Sequence, residues 1–117
     1  MKVLVIDDHE GFREEIQDIL TRNGCEAVGV DSAEAAVPLA ESGDYDFVLV
    51  DFQMPEHNGL WFMKKVKLPS KTKALLVTSH TNCELISAMI AAGASGYVTK
   101  PFDEEDIMRH LTFHTRA

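Results

Sequence analysis

The chain has 117 residues, a net charge of -8 and 45% hydrophobic residues. This size and composition favour one domain over residues 1–117 with a single core, and exclude a disordered acidic tail. The negative charge makes nucleic acid an unfavourable ligand and favours a cation or a partner with a basic surface. No apolar run reaches the roughly 20 residues of a membrane span, and no signal peptide precedes the first strand pattern, so we expect a cytoplasmic protein.

Five short apolar runs alternate with segments of helical character. The runs are continuous rather than alternating, which is typical of strands that are buried on both faces of a parallel sheet. The pattern predicts an α/β fold with helices on both sides of the sheet and right-handed crossovers. The five predicted strands are VLVI at 3–6, AVGV at 27–30, FVLV at 47–50, ALLV at 74–77 and GYVT at 96–99.

The first two helices differ in the quality of their patterns. The first has one apolar face, formed by Phe12, Ile16, Ile19 and Leu20, and Asn23-Gly24 should end it. The second should begin at the cap Ser32 and carry apolar residues at 33, 36, 37 and 40. Pro38 falls inside this pattern and removes a backbone hydrogen bond, so we expect a short, kinked or displaced helix.

The remaining helices are bounded by glycine, proline and capping residues. They are predicted to run from Gly59 to about Lys67, from Thr81 or Asn82 to Gly93, and onward from Pro101. Acidic residues 103–105 lie favourably at the positive end of the last helix. In the third helix the inward positions are Leu60, Phe62, Met63 and Val66, which leaves Trp61 outside. In the fourth, Ile86, Met89 and Ile90 are expected in the core, with a partner surface as the alternative.

Polar side chains follow four of the five predicted strands. In a parallel sheet these strand ends converge on one edge, where ligands bind. Three carboxylates at one point need a cation, and oxygen ligands of this kind suit Mg²⁺. Asp8 alone has a second interpretation, as the cap of the first helix. The residues concerned are Asp7 and Asp8 after the first strand, Asp51 after the third, Thr78 and Ser79 after the fourth, and Lys100 after the fifth.

Taken together, these segments resemble the receiver (CheY-like) domain of bacterial two-component response regulators. The matching pieces are IDD, LVDFQMPEHNG, LLVTS and GASGYVTKPF, in order and at suitable distances over essentially the whole chain. The resemblance implies a doubly wound (βα)5 fold with a five-stranded parallel sheet in the flavodoxin-like order 2-1-3-4-5.

The resemblance also implies a phosphoacceptor and a metal site. Asp51 would accept a phosphoryl group from a phosphohistidine on a sensor histidine kinase or a phosphotransfer protein. Asp7, or Asp8 through a water molecule, would bind Mg²⁺ together with Asp51 and the backbone carbonyl of Gln53. Mn²⁺ is an alternative ion. The acyl phosphate formed in this way is labile, which suits a resettable signal.

Further residues would contact the phosphoryl group and transmit its presence. By the same resemblance, Thr78 would donate its hydroxyl and Lys100 would pair with a phosphoryl oxygen. Thr78 and Tyr97 would form the switch that alters the face of the fourth helix, fifth strand and fifth helix. Gln53 and His80 border the expected pocket, and we predict that they tune the lifetime of the phosphate.

The leading hypothesis is therefore a phosphorylation-controlled switch, either a stand-alone receiver or the N-terminal receiver of a longer regulator. It would act on a downstream protein or a fused output domain, without direct contact to nucleic acid or membrane, and it could pair with a second copy. It would promote its own phosphotransfer and autodephosphorylation rather than act as an enzyme. The alternatives are an aspartyl-phosphate phosphohydrolase, which lacks its DxDx(T/V) signature here, and an interaction module that works without phosphate.

Several residues have no role in the implied site. Cys25 and Cys83 are expected to be reduced core residues rather than a disulfide, because they form no metal-type pair and nothing signals secretion. His57 is expected to be a solvated loop residue rather than a metal ligand. A cluster of five lysines is expected to form a solvated helix face, with a docking strip for an acidic partner as the alternative. This cluster comprises Lys64, Lys65, Lys67, Lys71 and Lys73.

Overall fold

The computed structural model describes residues 1–79 and 82–115, with the backbone alone for 114 and 115. Five strands and five helices alternate along this part of the chain, as predicted. Their bounds are β1 Lys2–Ile6, α1 Glu10–Arg22, β2 Glu26–Val30, α2 Ala33–Glu41, β3 Phe47–Asp51, α3 Gly59–Lys65, β4 Lys73–Thr78, α4 Cys83–Ala91, β5 Gly96–Thr99 and α5 Glu104–Thr115. None of these helices is long and apolar enough to cross a membrane.

The five strands form one parallel sheet in the order β2-β1-β3-β4-β5, which confirms the predicted topology. Each interior strand sends alternate side chains to opposite faces. In β3, Val48 and Val50 join the cluster that packs against α2, α3 and α4, while Phe47 and Leu49 join the cluster against α1 and α5. This two-sided burial explains why the strand runs are continuously apolar.

The helix starts are set by side chains that accept backbone N–H groups. Ser32, Asn58 and Asn82 cap α2, α3 and α4, so the fourth helix uses Asn82 of the two predicted caps. The alternative role of Asp8 as the cap of α1 is wrong. His9 caps that helix instead, with its Nδ1 accepting the Phe12 N–H at 3.2 Å.

Two helices differ in detail from the pattern in the sequence. α2 is short, at nine residues, and continues through Pro38, which lies on the exposed side. α3 ends at Lys65 rather than near Lys67, because Val66 adopts extended backbone with ψ 143. Lys64 and Lys65 in its last turn are exposed at the negative end of the helix, as expected. The predicted five-lysine helix face is otherwise wrong, because Lys67 and Lys71 follow the helix and Lys73 is partly buried on β4.

Several burial predictions are wrong. Cys83 is exposed at the first position of α4, and Cys25 is only partly buried. On the same helix Met89 is fully buried, but Ile90 is 49% exposed because only a narrow stripe of α4 faces the core. Trp61, expected outside, is partly buried and packs against the α2–α3–α4 cluster.

The Phe62 side chain is the clearest test of this packing. Phe62 is 0% exposed in the cluster between α3 and the sheet. We expect Phe62→Ala to lower the free energy of unfolding by about 3–5 kcal/mol, because it removes buried apolar area and leaves a cavity. Urea denaturation measures this value. Phe113→Ala is the matched control, since Phe113 is 69% exposed, and an equal loss in both variants would contradict the packing described.

Candidate functional site

A cavity of about 520 Å³ opens at the carboxyl edge of the sheet. β1, β3 and β5 deliver the three charged groups Asp7, Asp51 and Lys100, as the sequence predicted from the strand ends. Backbone hydrogen bonds fix two of these positions, from the Asp7 N–H to the Val30 oxygen at 3.1 Å and from the Lys100 N–H to the Thr78 oxygen at 2.7 Å. The lining comprises Asp7, Asp8, His9, Phe12, Asp51, Gln53, Ser79, Lys100 and Pro101.

Three carboxylates gather in this cavity. Oxygen atoms of Asp7, Asp8 and Asp51 all lie within 4.8 Å of one another. Asp7 is 1% exposed and Asp51 is 8% exposed, whereas Asp8 faces the solvent. The Asp7 carboxylate accepts the His9 N–H at 2.9 Å, which fixes its orientation. This donor set consists only of oxygen and includes one exposed carboxylate, which fits a magnesium ion that keeps several of its waters.

Lys100 offsets the repulsion between the two buried carboxylates. Its Nζ donates to Asp7 Oδ2 at 3.1 Å and to Asp51 Oδ1 at 3.3 Å, and its side chain is 10% exposed. The aliphatic stem and ammonium are therefore held inside the cavity rather than in bulk water. No buried side-chain nitrogen or oxygen in the described part of the chain lacks a hydrogen-bond partner.

Burial dominates the electrostatics of Asp51. It raises the pKa of this carboxyl from 3.8 to about 6, and the nearby charge of Asp7 acts in the same direction. The ammonium of Lys100 acts against both and lowers the pKa. Asp51 is therefore mostly ionised at neutral pH, but burying this charge costs free energy that Lys100 only partly offsets.

The loop between β3 and α3 approaches Asp51 closely. The Gly59 N–H donates to the Phe52 oxygen at 2.8 Å, which folds the loop back on the strand. A Cβ atom at Gly59 would lie 2.8 Å from the Asp51 carbonyl oxygen, so a glycine is required here. The loop brings Gln53 to the rim of the cavity, where its side chain is exposed.

His57 lies in the β3–α3 loop, as predicted, and its side chain is 39% exposed, but it also packs against neighbouring elements. Its ring stacks on Trp61 with centroids 3.9 Å apart and an interplanar angle of 13°, and its Nε2 lies 3.4 Å from Glu34 Oε1 on α2. The histidine thereby ties the β3–α3 loop to two helices. Its side chain does not belong to the carboxylate cluster of Asp7, Asp8 and Asp51.

Neither of the two predicted switch residues is among the residues that line the cavity. Thr78, the last residue of β4, is 1% exposed, and Ser79 rather than Thr78 lines the cavity. Tyr97 is 41% exposed on β5, paired in register with Leu76. It borders a separate groove of about 630 Å³ between β5 and α5. His80 lies outside the described residues.

Comparison with known proteins agrees with this architecture. A family model described as the response regulator receiver domain matches residues 3–112. The chemotaxis protein CheY-3 of Vibrio cholerae is 31% identical over 115 residues, covering 95% of this chain and 88% of that protein. A structure of CheY4 from the same organism has a TM-score of 0.88 at 30% identity and covers 96% of each chain.

The chain belongs to the response regulator receiver family. It is thus a signalling domain of the two-component type, which confirms the resemblance drawn from its motifs. The sensory/regulatory protein RpfC of Xanthomonas campestris matches over 106 residues at 33% identity, but the match covers only 15% of that protein. A receiver of this kind therefore occurs both in proteins of similar length and within a much longer chain.

Two residues of this receiver's cavity were not predicted as part of the site. Phe12 was assigned to the buried face of α1, yet it is half-buried, lines the cavity and lies with its ring centroid 4.3 Å from Lys100 Nζ. His9, which directly follows the IDD motif, also lines the cavity, caps α1 and contacts the Phe12 ring. Both residues lie just after the IDD motif, and this closeness is the feature by which the sequence could have identified them.

Because the pKa of Asp51 is raised, replacing this carboxylate by a neutral side chain should stabilise the fold, by an amount that depends on pH. A folded-state pKa above the unfolded value means that the folded state binds more protons, so stability falls as pH rises from about 4 through about 6. We expect Asp51→Asn to raise the free energy of unfolding by about 1–2 kcal/mol at pH 7.5 without metal, allowing for solvent screening.

Urea denaturation in chelator-treated buffer between pH 4 and pH 7.5 measures this gain, which should shrink as the pH falls. Asp8→Asn, at the exposed carboxylate of the cluster, is the control and should give a smaller effect. A gain that is absent at pH 7.5, or that grows toward pH 4, would contradict the assigned origin of the shift.

Proposed function

We propose that this receiver accepts a phosphoryl group on Asp51 in a Mg²⁺-dependent reaction, with a phosphohistidine of a sensor kinase or phosphotransfer protein as donor. The observation that carries the proposal is the convergence of Asp51 with Asp7, Asp8 and Lys100 in one open cavity. An ionised carboxylate, a cation site and a fixed ammonium are the groups that phosphoryl transfer needs, because the reaction depends on positioning and charge stabilisation.

The metal would be held by oxygen ligands only. Asp7 and Asp51 are the direct ligands we assign, with Asp8 acting through water and the backbone carbonyl of Gln53 completing the protein set. The oxygen-only cluster and the exposed position of Asp8 support this assignment. When bound, Mg²⁺, or Mn²⁺ in its place, supplies positive charge beside the phosphoryl oxygens.

Asp51 and Lys100 would have separate roles in the transfer. A carboxylate oxygen of Asp51 forms the new O–P bond while the P–N bond to the donor imidazole breaks and its electron pair stays on the imidazole. Lys100, already within 3.3 Å of Asp51, then donates to a phosphoryl oxygen instead of the carboxylate. The raised pKa of Asp51, about 6, still leaves the nucleophile ionised at neutral pH.

The switch would use Thr78 and Tyr97. We propose that the Thr78 hydroxyl turns toward the phosphoryl group and that the exposed Tyr97 ring turns inward to the space this vacates. A complete swing from 1:99 to 99:1 requires about 5.5 kcal/mol, whereas one charge-assisted hydrogen bond contributes about 1.5–3 kcal/mol. Repacking between α4 and β5 must therefore supply the difference, or the switch is partial.

The altered face would be the partner surface. Tyr97, Ile90 and Phe113 are large apolar side chains exposed around α4, β5 and α5. We propose that a downstream protein, a fused output domain or a second copy reads this face in the cytoplasm. The net charge of -8 argues against direct binding of nucleic acid by the domain.

Reaction with a small phosphodonor tests the proposal. We expect incubation with acetyl phosphate or phosphoramidate and Mg²⁺ to add the mass of one phosphoryl group to the wild-type chain and none to Asp51→Asn, because the nucleophile is lost. Lys100→Met should react at least about tenfold more slowly, since it removes the fixed ammonium. Intact-protein mass spectrometry measures each product.

Two controls separate the alternatives. Addition of a chelator should abolish the gain in mass if the metal is required. Catalytic turnover of an external phosphate ester would favour the phosphohydrolase, and failure of the wild type to react in Mg²⁺ would favour the phosphate-independent interaction module.

The lifetime of the phosphate provides a further prediction. Gln53 lies on the rim of the cavity with an exposed side chain, where it can affect the approach of water to the phosphoryl group. We expect Gln53→Ala and His80→Ala to change the dephosphorylation rate severalfold without loss of phosphorylation. Decay after removal of the donor measures this rate, and unchanged decay in both variants would contradict the predicted tuning.

A further inference from the structure

The Phe12 ring is the one aromatic face that contacts the ammonium of Lys100 in the described part of the chain. Lys100 Nζ lies 4.3 Å from the ring centroid, inside the roughly 6 Å range of a cation–π contact. The same ammonium donates to Asp7 and Asp51, at 3.1 and 3.3 Å. The ring and the two carboxylates therefore surround a lysine side chain that is 10% exposed.

The contact differs from a hydrogen bond in a way that matters for this site. An ammonium has three N–H donors, and here two of them point to carboxylates. The attraction of a ring face is electrostatic and does not consume a specific donor direction. Lys100 can therefore exchange one anionic partner for another while it stays over the ring.

The ring itself is held by the start of α1. The His9 imidazole accepts the Phe12 N–H at 3.2 Å, and the two rings lie 4.8 Å apart at 54°. The His9 N–H in turn donates to the Asp7 carboxylate at 2.9 Å. The short segment from Asp7 to Phe12 thus fixes the ring relative to the carboxylates.

We propose that Phe12 is a positioning residue, whose ring holds the Lys100 ammonium at the wall of the cavity while its partner changes from the Asp51 carboxylate to the phosphoryl group. This inference rests on the proposed function. When the O–P bond forms, the Asp51 oxygen loses its charge, so the ammonium loses one of its two anionic partners. The ring keeps the ammonium aimed into the cavity and shields one side of it from water, so that little reorganisation is needed.

The attraction of the Phe12 ring for the ammonium can be varied with little change in side-chain volume. Replacement of Phe12 by phenylalanines with one, two and three ring fluorines weakens the attraction for a cation stepwise. We expect the rate constant for phosphorylation by phosphoramidate in Mg²⁺ to fall stepwise along this series, and by about fivefold to tenfold in Phe12→Leu. Phe12→Tyr retains the ring face and should remain within about twofold of the wild type.

A second measurement does not depend on phosphorylation. The ring current of Phe12 should shift the NMR signals of the Lys100 side-chain CH₂ next to Nζ upfield in the unphosphorylated protein. This shift should persist in Phe12→Tyr and disappear in Phe12→Leu. Urea denaturation of each variant checks that it is folded.

The outcomes separate this inference from the proposed function. A graded fall in rate together with the ring-current shift supports the positioning role. Normal phosphorylation with a flat rate across the ring series overturns that role and leaves Asp51 as the phosphoacceptor, and so does the absence of a ring-current shift in the wild type. Failure of the wild type and every variant to gain phosphate overturns the proposed function and the positioning role with it.

Discussion

The bridge from Lys100 to Asp7 and Asp51 is the interaction on which this site depends. Two carboxylates about 4 Å apart repel each other by roughly 4 kcal/mol at an effective dielectric constant near 20, and both of these are largely buried. A single ammonium between them offsets much of that repulsion, but it is one positive charge among three carboxylates, and burial keeps the pKa of Asp51 raised, at about 6. The site thus retains unbalanced negative charge, which makes it receptive to a cation.

The bridge exists because of the order of the strands. β1 and β3 are neighbours in the sheet although β2 lies between them in the sequence, so Asp7 and Asp51 emerge side by side. β5 lies next to β4, and its end returns Lys100 to the same edge. This edge is where the winding of the sheet reverses, and crossovers to opposite sides leave an opening there.

The apolar runs of the sequence predicted the strands and the polar residues at their ends, and the family resemblance predicted the order of the strands. It predicted less well where tertiary contacts decide the environment of one side chain. Phe12 has the spacing of a core residue, but it lies at the first turn of α1 and faces the cavity. Trp61 has the spacing of an outer residue, but His57 and the neighbouring cluster cover it. Ile90 is apolar, but α4 buries only a narrow stripe, so the side chain stays exposed.

β4 and β5 connect the cavity to the face formed by α4, β5 and α5. β4 and β5 are paired in register from Leu75 to Thr78, so Thr78 at the cavity end and the partner of Tyr97, Leu76, belong to one rigid ladder. The Lys100 N–H adds a hydrogen bond to the Thr78 carbonyl at the end of this ladder. In the proposed switch, rotation of the Thr78 side chain would leave this backbone pairing unchanged, so the response would come from the side chains around it. Tyr97, being exposed and next to the groove along α5, is the side chain with room to move.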